Sequence, residues 1–232
     1  PFVRLSRYFW RFLPIYVGLT AALWLGLVLL GDPAPVAAIH AMSTLSTSGI
    51  TSLDGVHHSP SGSLGELLIL CFLVFALSRR TFLGGLSTPQ WALMRKDREL
   101  RIAALFVVTI PLFLFLRHWL GAWEVNEELD QRALPALWGG IFTVASFLTT
   151  TGFVSGSWED AQNWSGLATP GLLMAGIAVM GGGVATTAGG VKLLRVYALY
   201  LNGQREMERL VHPSSVSGEG AGNRRLQKLV PE

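Results

Sequence analysis

The sequence is short of charge. Asp, Glu, Lys and Arg make up 14% of its 232 residues, where soluble domains carry about a quarter. A soluble domain with an unusually apolar core is therefore the weaker reading. Cysteine is almost absent: Cys71 stands alone inside an apolar run, so no internal disulfide can form and the thiol reads as a small core residue. The five histidines, His40, His57, His58, His118 and His212, are scattered, and no His-Glu-x-x-His pattern occurs. That removes the usual basis for a metalloenzyme; His57-His58 falls in a polar loop and reads as solvated. No small-residue cleavage pattern follows Leu30, so Arg4, Arg7 and Arg11 ahead of an apolar run predict a retained span rather than a signal peptide. The chain opens on Pro1 instead of Met and is expected to be a fragment. Its net charge of +3 is small, fits a cytoplasmic loop bias, and implies no nucleic-acid partner.

Hydrophobic residues make up half of the chain, and they fall into segments. Residues 13–30 form the first, close to the hydrocarbon thickness at about 1.5 Å per residue, with Pro14 expected in its first turn. A turn at Asp32-Pro33 precedes a mixed segment, 36–45, that is too short to span. This segment runs into Ser46-Thr47-Ser48-Gly49-Ile50. A short helix followed by an extended polar run predicts a re-entrant pore loop, with an ordinary extramembrane loop as the alternative. A polar loop, 51–63, leads to a second apolar segment, 64–77, then to Arg79-Arg80, Gly84-Gly85 and a basic-biased connector, 95–101.

The third segment, 102–120, contains Pro111 and closes on Arg117-His118-Trp119, an interfacial arrangement. An acidic loop follows, with Glu124, Glu127, Glu128 and Asp130. A second short segment, 134–148, ends in Thr149-Thr150-Thr151-Gly152-Phe153, with Glu159 and Asp160 expected in the loop beyond. The last apolar run, 167–201, is interrupted by Gly181-Gly182-Gly183-Val184-Ala185-Thr186-Thr187-Ala188-Gly189-Gly190, a density of glycine and threonine that predicts a broken helix. Lys192 and Arg195 follow the break. The tail, 205–232, is charged and soluble.

A shift of 103 residues lays Gly49 on Gly152, Thr47 on Thr150, Leu45 on Leu148 and Ser43 on Ser146. The unit span, re-entrant helix, polar glycine run, span thus occurs twice, which is far stronger than one such run alone. The fold class predicted is an all-α polytopic membrane protein of tandem span–re-entrant pore helix–span repeats, like a potassium-channel pore, with the last helix broken by a Gly-rich loop. Unpaired polar backbone is tolerated at membrane depth only when buried in protein or lining water. A monovalent cation gives up its hydration water only where oxygen dipoles replace it, as rings of backbone carbonyls do. The candidate filter carbonyls are those of Thr47, Ser48, Gly49 and Ile50, and of Thr150, Thr151, Gly152 and Phe153, with K⁺ as the ion. Ser and Thr add oxygen without a fixed negative charge. Loop charges place the N-terminus and the tail in the cytoplasm and both runs toward the outer face. A nucleotide-binding enzyme is excluded: Val191 separates Gly190 from Lys192 and Leu193 follows, which is not a Walker pattern.

These two runs, together with Gly181–Gly190 and the following Val191-Lys192-Leu193-Leu194-Arg195, resemble the Trk/Ktr/HKT potassium-transporter superfamily. The segment Gly203-Gln204-Arg205-Glu206-Met207-Glu208-Arg209-Leu210-Val211-His212-Pro213 is most similar to its bacterial TrkH-type subunits. The resemblance covers nearly the whole chain. It implies potassium uptake across the cell inner membrane, not enzyme activity. Residues 1–100 and 101–213 then correspond to the second and third of four pore repeats, and 214–232 to a linker toward a fourth. It implies a gate formed by Gly181, Gly182, Gly183, Thr186, Thr187, Gly189 and Gly190, with Lys192 and Arg195 as nearby cations. The partners it implies are a second copy in a homodimer, a cytoplasmic nucleotide-binding regulatory ring of the TrkA type, and the lipid bilayer. No covalently bound cofactor is implied, and nucleotide acts only through the regulatory partner. A sodium-permeable or cation-coupled member of the superfamily, or a membrane scaffold that transports nothing, is the alternative.

Overall fold

In a computed structural model the chain is described over residues 2–52, 55–77, 97–121, 133–166, 169–184 and 186–211. Arg79-Arg80, Gly84-Gly85, the acidic residues Glu124, Glu127, Glu128 and Asp130, and Leu167, Ala185 and the tail beyond residue 211 lie outside these residues. The described residues are helical with connecting turns, and contain no strand.

Helix α1 spans Phe2–Leu29 and contains Pro14 in its interior. The sequence placed Pro14 in a first turn; the arginine-bearing lead-in is itself helical, as good helix formers allow, so the proline forfeits an interior backbone bond. Helix α2 is Ala34–Ser46, with Pro at its start, where a missing N–H costs little. Helix α3 is Gly62–Leu77, preceded by a 3₁₀ turn at Val56–His58. Asp32 ties that polar connection to the end of α1. Its carboxylate accepts from Ser59 Oγ at 2.7 Å, from Ser61 N at 2.9 Å and from Ser61 Oγ at 3.1 Å. His57 and His58 are exposed, as expected for a solvated pair.

Helix α4, Arg98–Gly121, begins earlier than the apolar pattern does. Asp97 caps it: its Oδ1 accepts from Glu99 N at 3.2 Å and its carbonyl from Arg101 N at 3.2 Å. Part of the basic connector is thus a helix start with two buried acids, Asp97 and Glu99. Helix α5 is Ala133–Leu148 and helix α6 is Trp158–Ser165. The second was expected as loop. Glu159 and Asp160 occupy its first turn, where negative charge complements the helix dipole. Trp164 anchors it, donating from Nε1 to the Phe115 carbonyl at 3.1 Å and stacking on the Phe115 ring at 5.2 Å. Helix α7, Pro170–Met180, stops at the glycine-rich stretch, and α8, Leu193–Val211, starts after it. The predicted break is observed.

The chain divides into two compact units, one ending at Leu194 and the other starting at Arg195. In the first, α1, α2 and α3 pack pairwise, α4, α5 and α6 do the same, and α7 lies on α5. The two groups meet where α3 packs on α5 and α4. One core gathers Leu23, Leu27, Ala37, Ala41, Ile69 and Leu73 with Phe142 and Phe153. The other gathers Ala103, Ala136, Val144, Leu148, Trp164 and Leu193. The second unit is the rest of α8 and the tail; along α8 Leu199, Tyr200, Met207 and Leu210 are exposed, and Gln204 Nε2 donates to Tyr200 Oη at 2.8 Å.

Two described helices are long and apolar enough to cross a membrane: α1 over Phe12–Leu29, and α4 over Arg98–Arg117. Only 11% and 22% of these windows are buried. A core helix of a soluble protein would be mostly covered. Here Val17, Leu25 and Leu29 on α1, and Leu105, Val108 and Phe113 on α4, face outward, and apolar surface of that extent is suited to contact with lipid or with further helices. Helices α3, α5 and α7 are apolar but shorter. The protein is an all-helical polytopic membrane protein.

Candidate functional site

The two polar runs begin in the same way. At the end of α2, Ser48 N donates to the Ser43 carbonyl at 3.0 Å and Thr47 N to the Thr44 carbonyl at 3.3 Å. At the end of α5, Thr151 N donates to the Ser146 carbonyl at 2.9 Å and Thr150 N to the Phe147 carbonyl at 3.0 Å. This is the Schellman closure, made twice at matching positions. The residue in the left-handed conformation is Thr47, φ 50°, in one copy and Thr150, φ 59°, in the other. Glycine is the usual occupant; a β-branched residue there stores about 1–2 kcal/mol of strain. Two residues further on, Gly49 and Gly152 also have positive φ, 68° and 83°.

The two runs touch backbone to backbone. A Cβ at Gly49 would overlap the carbonyl oxygen of Thr151, whereas a Cβ at Gly152 would meet nothing. Thr47 and Thr151 are buried, Ser48 and Gly152 exposed, and Gly49 and Thr150 half-buried. The final residues diverge. Phe153 is buried in the first copy's core, edge-on to His40 at 6.2 Å, while its counterpart Ile50 is 63% exposed.

Hydroxyls in the runs are largely committed to the protein. Ser48 Oγ donates to Ser43 Oγ at 3.1 Å, Thr47 Oγ1 to the Ser46 carbonyl at 2.7 Å, and the Thr149 and Thr151 hydroxyls pair at 3.0 Å. These side chains act as struts, so the oxygens of the runs left without a protein partner are chiefly backbone carbonyls.

The glycine-rich stretch folds back on itself. Val191 N donates to the Val179 carbonyl at 2.9 Å, Lys192 N to Met180 at 3.0 Å and Leu193 N to Gly182 at 3.1 Å. The neck closes at Gly181 and Gly190, where a Cβ on either would strike the other strand of the loop. Four contacts hold the loop. Gly183 N donates to the Ala76 carbonyl of α3 at 3.3 Å, and Val184 N to Glu99 Oε1 at 2.9 Å. Thr186 Oγ1 donates to the Gly183 carbonyl at 2.8 Å. Gly189 N donates to Thr150 Oγ1 at 2.6 Å, which links the loop to the second polar run. Gly181, Gly182 and Gly183 are buried; Thr186 is half-buried; Thr187, Gly189 and Gly190 are exposed. Lys192, at φ 80°, donates from Nζ to the Ala188 carbonyl of its own loop. Arg195 belongs to the second unit, on α8.

The structure therefore brings Thr47–Ile50, Thr150–Phe153 and the loop to one region of the first unit. Sequence reasoning missed two acids there. Glu66, the sole acid of α3, is 4% exposed, and an ionisable residue inside an apolar segment is a recognisable signal. Glu99 was hidden by its basic neighbours. Among the described residues no group of three or more His, Cys, Asp or Glu side chains is placed to hold a metal ion.

No family model matches the chain. It is 31% identical over 219 residues to the Trk system potassium uptake protein TrkH of Salmonella typhimurium, covering 94% of this chain and 43% of that protein. It is 29% identical over 219 residues to TrkH of Escherichia coli K12, with the same coverage. It is 29% identical over 210 residues to the Trk system potassium uptake protein TrkI of Halomonas elongata, covering 88% and 39%. The crystal structure of the potassium transporter TrkH from Vibrio parahaemolyticus superposes with a TM-score of 0.73 at 25% identity, over 95% of this chain and 45% of that one. The chain thus spans less than half the length of these relatives, which are named as potassium uptake or transport proteins rather than enzymes. By sequence and fold together, the chain is similar to part of the TrkH-type potassium uptake proteins.

Proposed function

We propose that the chain supplies two of the edges of a potassium-uptake pore in the cell inner membrane. The observation that carries this reading is the pair of matched left-handed turns, at Thr47 and Thr150, brought together so that Gly49 packs on the Thr151 carbonyl. The carbonyls of Thr47, Ser48, Gly49 and Ile50, and of Thr150, Thr151, Gly152 and Phe153, replace the hydration shell of K⁺. Residues 1–100 and 101–213 act as successive pore repeats, and 214–232 as a cytoplasmic linker. The N-terminus and tail lie in the cytoplasm, in keeping with the basic bias of those segments.

The loop from Gly181 to Gly190 is the gate. Its support is the Gly189–Thr150 bond, which sets the glycine-rich segment directly against a proposed filter edge. Lys192 braces the loop from within through Ala188. Opening requires breaking the contacts to Thr150, Glu99 and Ala76. A homodimer and a cytoplasmic nucleotide-binding regulatory ring, which the resemblance to the superfamily implies, complete the proposed assembly.

The test is potassium uptake by the complete gene product in cells without their own uptake systems, with Gly152→Ser beside wild type. A side chain at Gly152 has room, so the variant is expected to insert but to lose preference for K⁺ over Na⁺. Unchanged selectivity moves the filter elsewhere. No uptake by correctly inserted wild type, with the regulatory partner supplied, overturns the transport reading.

A further inference from the structure

The second filter edge is gripped from outside its own repeat. Glu66 lies in the first turn and a half of α3, in the first copy, with its carboxylate buried. Oε2 accepts from Trp138 Nε1, on α5, at 2.7 Å and from Ser155 Oγ at 2.7 Å. Oε1 accepts from Gly156 N at 2.7 Å. Ser155 is fixed further by its own N–H, which donates to Thr143 Oγ1 on α5 at 3.3 Å, and by Ser157 N, which donates to Ser155 Oγ at 3.2 Å. One carboxylate therefore ties the pore helix and the chain just after Phe153 to the neighbouring repeat. All three bonds are short, and burial strengthens hydrogen bonds.

We propose that Glu66 is a positioning residue for ion selectivity. The second filter edge is held at one end by the Thr150–Gly189 bond and at the other by the Glu66 carboxylate. Whether a filter discriminates by cavity size or by the number and field of its carbonyls, those carbonyls must be held in place, within about 0.5 Å for a working site. Among the described residues the clamp is seen at one of the two edges. The residue matching Ser155 in the first copy is Ser52, whose buried hydroxyl has no hydrogen-bond partner among the described residues. Glu66 touches no ion; it acts through Ser155 and Gly156. The inference rests on the filter reading above.

The experiment measures K⁺ and Na⁺ uptake per inserted molecule of the complete gene product, for Glu66→Gln, Ser155→Ala, the double variant and Gly152→Ser. Glu66→Gln keeps the shape but turns one acceptor into a donor facing donors. It is expected to lower the K⁺ over Na⁺ preference about tenfold, the equivalent of losing one buried hydrogen bond. Ser155→Ala is expected to act in the same direction and more weakly. The double variant should fall short of the product of the two effects, because both break one contact. A purely structural role would lower the uptake of both ions alike and leave the ratio intact, and that result overturns the proposal, as does a multiplicative double variant. If Glu66→Gln fails to insert, Ser155→Ala and Trp138→Phe carry the same test with the carboxylate retained. A ratio moved by Gly152→Ser but by none of the others overturns the clamp alone. A ratio moved by none of the four, Gly152→Ser included, overturns the filter reading and the clamp with it.

Discussion

Alanine at Gly49 and alanine at Gly152 separate two costs that the internal repeat would otherwise merge. Both glycines have positive φ, so each added Cβ meets a left-handed backbone at about 1–2 kcal/mol. Only at Gly49 does it also meet a wall, the Thr151 carbonyl. Overpacking of this kind adds about 1–3 kcal/mol. The obstacle is backbone rather than a flexible side-chain tip, so relief requires displacing the opposite run. Gly49→Ala is therefore expected to be the more damaging by that margin, roughly tenfold or more in an equilibrium it biases. The assays are thermal unfolding of purified protein in detergent and rubidium uptake per inserted molecule. Gly152→Ala should show a small drop in melting temperature and retain flux, and Gly49→Ala should lose both stability and flux. Equal losses, or a larger loss at Gly152, would refute the backbone contact between the two runs.

Three further outcomes follow from the contacts of the loops. Thr150→Val keeps the branched shape but removes the acceptor for Gly189 N. With about 0.5–1.5 kcal/mol withdrawn from the closed loop, resting flux in patch recordings should rise up to about tenfold; a fall would place the bond in the open state. Glu99→Ala leaves the Val184 N–H without its carboxylate and should destabilise by about 1–3 kcal/mol. Glu99→Gln, which retains a carbonyl oxygen, should destabilise less, and denaturation midpoints decide. Asp32→Ala removes the acceptor of three hydrogen bonds from Ser59 and Ser61, a loss of about 2–4 kcal/mol allowing for non-additivity. Protease cleavage near residues 55–62 should accelerate while ion preference stays unchanged.

Much of this was legible because lipid makes the sequence simple. Apolar runs locate α1 and α4, and a glycine-dense stretch cannot continue α7, so the break at Gly181 follows from composition. The repeat was legible at the level of residue type, and the turns at Thr47 and Thr150 match in backbone conformation too. What stayed hidden was long-range pairing. Nothing near Glu66 in sequence indicates that its partners lie 72 to 90 positions away. Threonine hydroxyls look like ion ligands when read locally, and only the fold reveals Thr150 accepting from Gly189. Helix α6 escaped because it is short and polar on average; its apolar face consists only of Trp158, Ala161 and Trp164. The start of α1 escaped for a related reason: arginine is a good helix former yet interrupts a hydropathy window.

The orientation of α2 and α5 has a consequence for acidity. Each ends where its polar run begins, so the negative end of each helix dipole, equivalent to about half an elementary charge, is directed at the path proposed for the cation. Neither run contains a carboxylate. The attraction felt by an approaching ion then comes from peptide groups, which take up no proton. It should persist unchanged as the medium outside turns acid, where a ring of aspartates would be neutralised.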